Sequence, residues 1–295
     1  MSKSREPVRL DVRKAYTLFV NGAFIRSESG ASEPIGVGTA EPATVARATR
    51  KDMRDAVVAA RTAYGIWSTL APMQRGLALY RLVELLDARH AEFVERLRVG
   101  TRLDEADARR ETTAAIDRVL WYAGWCDKYA TIVSSRDPVA GPFVTLTAPR
   151  PLGVVGMLAP DEPSFLGLVS AIVPALVSGN TVVALASESD PRTAIVFAEC
   201  LATCDVPPGT ANILTGRRIE IAPHLARHRD VDALLAYGLD APFAAELERL
   251  AATDLKRTHF VSANSYADFF ASDAQDLRHV TAFVTDTTIW HPAAI

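Results

Sequence analysis

Few side chains in this 295-residue chain have the types and spacing for chemistry. Cys200 and Cys204 stand four apart, as do His224 and His228, and either pair could offer two metal ligands from one helix face. Two ligands are too few for a metal, and no acidic motif lies between the histidines. Buried thiols and surface or packing histidines are therefore expected, with no metal. His259 and Glu162 could form an acid–base pair only if folding brings them together. Arg217 and Arg218, just after Gly216, could hold a phosphate or be solvated residues at a helix start, which is the commoner role. Glu188 could face a nucleotide or cap the helix that follows. Trp121, Tyr122 and Trp125 cluster on one predicted helix, where core or subunit contact is more ordinary than a substrate box.

The elements that would position these groups follow from periodicity. Candidate strands are LGVVGML (152–158), TVVALA (181–186), ANIL (211–214), ALLAY (233–237) and THFVS (258–262). Candidate helices lie between them, near 165–178, 191–203, 218–228 and 241–252. Alternating strands and helices predict an α/β fold, a doubly wound parallel sheet with helices on both faces. The strands are apolar throughout, as strands buried on both sides must be. In such a sheet ligands sit beyond the carboxyl ends of the strands, so the turns after Leu158, Ala186, Leu214 and Tyr237 should line one crevice. Gly216 and Gly238 would let backbone approach a nucleotide there, or serve only as tight turns.

Ahead of this domain, YTLFVNGAFIR (16–26) alternates around Asn21-Gly22, a hairpin signal. SESGASEPIGVGTAEP reads as loop. A helix starts at Thr49, capped by that residue with Asp52 in its first turn. Further helices are predicted over about 73–97 and 104–129, then a strand over 139–149. HVTAFVTDTTIW (279–290) reads as a last strand with no helix after it. Residues 1–15 are polar and expected to be loose. A net charge of −3 excludes a basic field for nucleic acid or anionic membrane. The longest apolar run, 165–178, is too short to span a bilayer. Three cysteines without framework spacing, and no signal peptide in MSKSREPVRLDVRK, fit a reducing cytoplasm.

These motifs, in this order, resemble the aldehyde dehydrogenase family over about 250 residues. YTLFVNGAFIRSESG is similar to its amino-terminal strands and AAIDRVLWYAGWCDKYA (114–130) to its long helix. PLGVVGMLAP (151–160), GNTVVALASE (179–188), DVPPGTANILTG (205–216) and VDALLAYG (231–238) resemble its cofactor crevice. The resemblance implies that Ala159, Pro160, Ser187, Glu188, Gly216 and Gly238 border NAD or NADP. It also implies a weakened grip. The family's ribose-binding lysine is Leu185 here, and its Phe-Thr-Gly-Ser is Ala236-Tyr237-Gly238-Leu239, without the serine hydroxyl. Its Pro-Trp-Asn, whose amide stabilises an oxyanion, is Pro160-Asp161-Glu162. Acidic groups there would repel such a charge. Val261 stands where the family has its general base, and no cysteine follows Cys204.

LRHVTAFVTDTTIW (277–290) resembles the family's carboxyl-terminal oligomerisation strand, separated here from the nucleotide domain by a short loop at about 263–276. The expectation is an internal deletion of the catalytic domain. It leaves a nucleotide-binding-like domain (16–138 and 151–262) and oligomerisation strands (139–150 and 279–292). A strand without its usual sheet would carry an unpaired edge unless a partner covers it. A non-catalytic accessory or regulatory protein is therefore expected, joined to a full-length catalytic aldehyde dehydrogenase or to its own copies. The alternatives are an NAD(P)-dependent aldehyde oxidoreductase and a nucleotide sensor without chemistry.

Overall fold

The computed structural model describes residues 14–36, 42–101, 103–261 and 265–293. The loose amino terminus expected over 1–15 falls almost wholly outside them. Local turn chemistry shapes the first elements. β1 (Ala15–Tyr16) leads into β2 (Leu18–Val20), and Asn21 and Gly22, both at positive φ, turn the chain into β3 (Ala23–Ile25). The segment read as loop contains a strand, β4 (Ser32–Ile35), which pairs antiparallel with β5 (Ala43–Ala46) just after that segment. Their apolar signal is thin, since β4 is half exposed along its length and carries Pro34.

α1 (Arg50–Trp67) starts where the cap residues place it. Thr49 and Asp52 form a reciprocal capping box, and the Asp52 carboxylate also accepts from Ser27 Oγ at 2.7 Å and Glu28 N at 3.0 Å. Burial alone would raise the Asp52 pKa. The donors of Thr49, Ser27 and Glu28 outweigh it and hold the carboxyl below its ordinary value. A carboxylate lowered on folding contributes stability above its unfolded pKa and loses it as pH falls through the folded value. Asp52→Asn should therefore destabilise by about 1–2 kcal/mol near neutrality, the usual worth of a cap. The deficit should shrink on acidification, measured as denaturation midpoints at pH 7 and pH 3.

The helix expected over 73–97 is two helices, α2 (Pro72–Ala88) and α3 (His90–Thr101). Arg89 sits at the break, its guanidinium held by Glu92 at 2.8 Å and by Glu199 from another helix. The third predicted helix likewise divides into α4 (Glu105–Ala123) and α5 (Tyr129–Val133), with Gly124 closing α4. β6 (Phe143–Pro151) begins after Gly141, whose φ of +111° interrupts the extended run expected from Val139.

Then comes the alternating half: β7 (Val154–Leu158), α6 (Ser164–Val177), β8 (Thr181–Leu185), α7 (Arg192–Leu201), β9 (Ala211–Leu214), α8 (Arg218–Arg227), β10 (Ala233–Tyr237), α9 (Ala241–Ala251) and β11 (Arg257–Val261). The predicted strand end at Ser262 lies outside the described residues. The seven-stranded sheet runs β11-β10-β7-β8-β9-β2-β3, parallel from β11 to β9 and antiparallel where the hairpin joins. Successive strand residues point to opposite faces. Val155, Met157, Val182 and Ala184 pack with α2–α4, α6 and α7. Val154, Leu158, Val183 and Leu185 pack with α1, α8 and α9. This is the doubly wound α/β fold that the strand–helix alternation predicts.

α6 is buried on every side, and its amino-terminal amides have a partner: Glu111, itself buried, accepts from Phe165 N at 2.9 Å and Leu166 N at 3.2 Å. Burial pushes the Glu111 carboxyl up, against the pull of those amides. Among the described residues no helix is long and apolar enough to cross a membrane.

The end of the chain differs from expectation. Asp276 accepts from Arg278 N at 2.7 Å and starts a helical turn, α10 (Leu277–Thr281), that buries Val280. The strand begins only at β12 (Val284–Pro292), five residues later than read. Two 3-10 turns, Tyr266–Phe270 and Ser272–Ala274, occupy the described part of the preceding loop. β12 pairs antiparallel with β6, from Val284 opposite Pro151 to Pro292 opposite Phe143. The two make a ribbon separate from the main sheet.

Candidate functional site

Four strand ends meet in one place, as the winding requires. β7 ends at Leu158, and Ala159 N donates to Leu185 O at 3.0 Å. Ala186 N donates to Leu214 O at 2.9 Å, so each turn leaves its strand beside the next. Pro160 packs on Gly167, where an added Cβ would come within 2.2 Å of the Pro160 ring. The turn after β8 is held by the turn after β7. Asp161 Oδ1 accepts from Glu188 N at 2.7 Å and from Ser187 Oγ at 3.2 Å. A carboxylate of the chain itself thus takes backbone amides that a ligand anion could otherwise use.

Arg218, the first residue of α8, completes the crevice. Its side chain is only 11% exposed and crosses the strand ends. Its guanidinium donates to the carbonyl of Ala159, to Tyr237 O at 3.4 Å and to Asp161 at 3.3 Å. Its backbone N–H is taken by the Glu188 carboxylate. The amino terminus of α8, an anion site by geometry and dipole, therefore already holds a carboxylate. Arg217 points the other way and pairs with Glu33 at 3.0 Å.

The sequence-predicted border residues accordingly come together in part. Ala159, Ser187 and Glu188 meet around Arg218 and Asp161. Ser187, Glu188 and Gly216 also border a small cavity of about 100 Å³, whose far wall is β4 and β5. A dinucleotide needs several times that volume. Gly216 has φ +135°, and a Cβ there would lie 3.2 Å from Ala48 N, so this glycine is fixed by packing as well as by conformation. Gly238 has φ +64°, and a Cβ added there would meet nothing within 4 Å. Most polar groups of the crevice are bonded to one another, the buried Arg218 Nε being left without a partner, and with the Arg218 side chain across the strand ends the residues present do not fit NAD or NADP as they stand. In the sequence the Arg217–Arg218 pair is ambiguous, and Asp161 stands out only as an acidic replacement that would repel an oxyanion, not as the acceptor that ties two turns together. The alternation of exposed and buried at the start of α8 is the signal that separates the two arginines.

The other candidates lie apart from this crevice. Cys200 and Cys204 are buried, and Cys204, just past the end of α7, lies one turn on, its N–H donating to Cys200 O at 3.0 Å. Burial pushes the Cys200 thiol up, the Cys204 thiol up to about 11 and the Cys126 thiol up to about 12, which keeps all three protonated. His224 sits in the last turn of α8, and His228 just beyond it accepts from Asp230 N. Among the described residues no three His, Cys, Asp or Glu side chains gather as metal ligands. No hydrogen bond or ion pair joins His259 to Glu162 among the described residues. Trp121 packs on Tyr122 and Trp125 at 4.8 and 5.6 Å, with Tyr122 in the core.

A parallel sheet wound on both faces, with four strand ends converging on a glycine-bordered crevice, defines a dinucleotide-binding type of domain. The aldehyde dehydrogenase family model matches residues 32–290, and the chain belongs to that family. It is 30% identical to human aldehyde dehydrogenase 1A1 over 298 residues, covering 97% of this chain and 58% of that protein. It is 32% identical to the betaine aldehyde dehydrogenase of Bacillus subtilis over 225 residues, covering 74% of this chain and 45% of that one. The solved NAD-dependent aldehyde dehydrogenase of Sinorhizobium meliloti superposes with a TM-score of 0.79 at 26% identity, covering 85% of this chain and 50% of the other. The chain spans about half the length of the curated relatives it matches.

Proposed function

We propose that this chain is a non-catalytic, cytoplasmic member of the aldehyde dehydrogenase family that assembles, through the β6–β12 ribbon, with a full-length catalytic aldehyde dehydrogenase. In that complex it stabilises or regulates the active subunit. The observation that supports the non-catalytic part is the crevice: Asp161 and Glu188 take the amides, and Arg218 gives its terminal nitrogens to Ala159 O, Tyr237 O and Asp161, where a cofactor and a developing oxyanion would need those donors. Only residues 262–283 separate β11 from β12, which supports an internal loss of the catalytic domain. NAD or NADP, held by Ala159, Pro160, Ser187, Glu188, Gly216 and Gly238, binds weakly because Arg218 must first be displaced.

The ribbon supports assembly. β12 has β6 on one edge and no strand on the other among the described residues, and an open edge invites pairing. Leu146 and the facing Ile289, 49% and 52% exposed, leave apolar surface on one side of the ribbon. Trp290, 58% exposed, does so on the other, packed edge-on against Phe143 at 5.9 Å. The same surface supports a second reading, a homo-oligomer. Affinity capture of the tagged chain from its own host separates the two. A full-length aldehyde dehydrogenase in stable proportion is the expected result. A stable homo-oligomer that ignores every dehydrogenase in the cell would sink the hetero-assembly.

A further inference from the structure

Independent of that reading, a cavity of about 450 Å³, within the range of small-molecule sites, lies between the β10–β11 edge and the segment leading into α10. Tyr237 divides it from the crevice. The Tyr237 carbonyl accepts from Arg218, while its ring packs 5.7 Å from Phe269 in the cavity wall. Arg118, Ser170, Tyr237 and Phe269 are buried and make the floor. His259, His279 and Arg278 stand toward the mouth, with Asp268 and Asp273 on the rim.

Arg118 is the telling member. It comes from the middle of α4 and is 2% exposed. One terminal nitrogen donates to Ser170 Oγ at 2.7 Å and the other to Phe269 O at 2.6 Å. Its Nε is buried without a partner. No carboxylate pairs with it among the described residues. A guanidinium taken out of water costs several kcal/mol unless an anion faces it. The acids on the rim do not supply one. Asp268 is turned to its own 3-10 turn, accepting from Ser265 N at 2.8 Å. Arg278, at the mouth, already pairs with Asp276 at 2.9 Å. Burial, and then His259, Arg118 and Arg278 against Asp276, hold the His279 imidazole below its ordinary pKa.

We propose that this cavity binds a small organic oxyanion, a carboxylate or a phosphate monoester, which supplies the counter-charge that Arg118 lacks. His279 and His259 add hydrogen bonds at the mouth. The competing role for Arg118 is mechanical, a clamp that ties the Tyr266–Phe270 turn to α6 through Phe269 O and Ser170. A clamp needs the two neutral acceptors but gives no reason for a buried charge.

Calorimetric titration of the full chain with succinate and with glycerol phosphate tests this, with succinamide and glycerol as uncharged controls. At least one of the two anions should bind at millimolar concentration or tighter, and its control at least about tenfold more weakly, the usual advantage of a charge-assisted pair. Binding of succinate alone assigns a carboxylate ligand, and of glycerol phosphate alone a phosphate ester. Arg118→Met should abolish binding while leaving the thermal midpoint unchanged or higher, since a buried unpaired charge is removed. Should Arg118→Met not fold, His279→Gln, at the half-exposed mouth, should weaken binding by about threefold to tenfold. No binding of either anion by the unmodified chain, or binding that His279→Gln and a folded Arg118→Met leave intact, overturns the proposal.

Discussion

Replacing Arg218 with alanine should raise the affinity of this protein for NAD by about tenfold or more, about 1.4 kcal/mol. Two effects compete. An arginine near a pyrophosphate usually strengthens binding through charge-assisted hydrogen bonds. Here the guanidinium is nearly buried and already bonded to the carbonyls of Ala159 and Tyr237 and to Asp161. To reach a phosphate it must leave these acceptors, and each net hydrogen bond is worth about 0.5–1.5 kcal/mol. Three losses cancel the gain from a new phosphate contact, while the side chain still fills the space the nucleotide needs. Alanine clears that space and keeps the start of α8 helical. Fluorescence titration with NAD reads the outcome. Weaker binding by the variant would make Arg218 a phosphate ligand and favour a nucleotide sensor.

The second large effect is on assembly. Ile289→Asp should weaken the native complex by about thirtyfold or more, since truncating or charging a central interface anchor costs about 2 kcal/mol or more. Ile289 faces Leu146 across the ribbon, half exposed and away from the packed cores around the main sheet. The fold itself should therefore survive, with thermal unfolding changed little. Sedimentation velocity supplies the reading. An unchanged mass for the variant would remove the ribbon from the interface.

The sequence was most legible where pattern and burial agree. β7 through β10 are buried along their whole length because helices cover both faces of the sheet, while β11, at the sheet edge, is half exposed, and the predicted limits of all five differ from those found by two residues at most. β4 and β5 escaped notice because only Val45 and Ala46 of their eight residues are buried, so period two leaves no apolar trace. The break at Arg89 has no Gly or Pro to mark it, and one of the two partners of Arg89 there, Glu199, lies 110 residues away. α10 reads as strand because Val280, Ala282 and Val284 alternate at period two, and the Asp276 cap turns the chain into a helical turn instead.

The site divides the same way. Its border could be drawn from strand ends alone, since topology fixes where ligands gather in such a sheet. Its occupancy could not. Whether Arg218 reaches a phosphate or the carbonyls of Ala159 and Tyr237 depends on how three turns, distant in sequence, converge. Arg118 carried no signal either. Mid-helix arginines are usually solvated, and its burial is set by Ser170 and Phe269 from other elements.

The central claim is that this chain works within an assembly rather than as an enzyme alone. The mass of the native assembly from its own host, with every component identified, tests it most directly. The account predicts a complex containing a full-length aldehyde dehydrogenase alongside this chain. A particle with the mass of a single 31.9 kDa chain, free of any dehydrogenase, would contradict it.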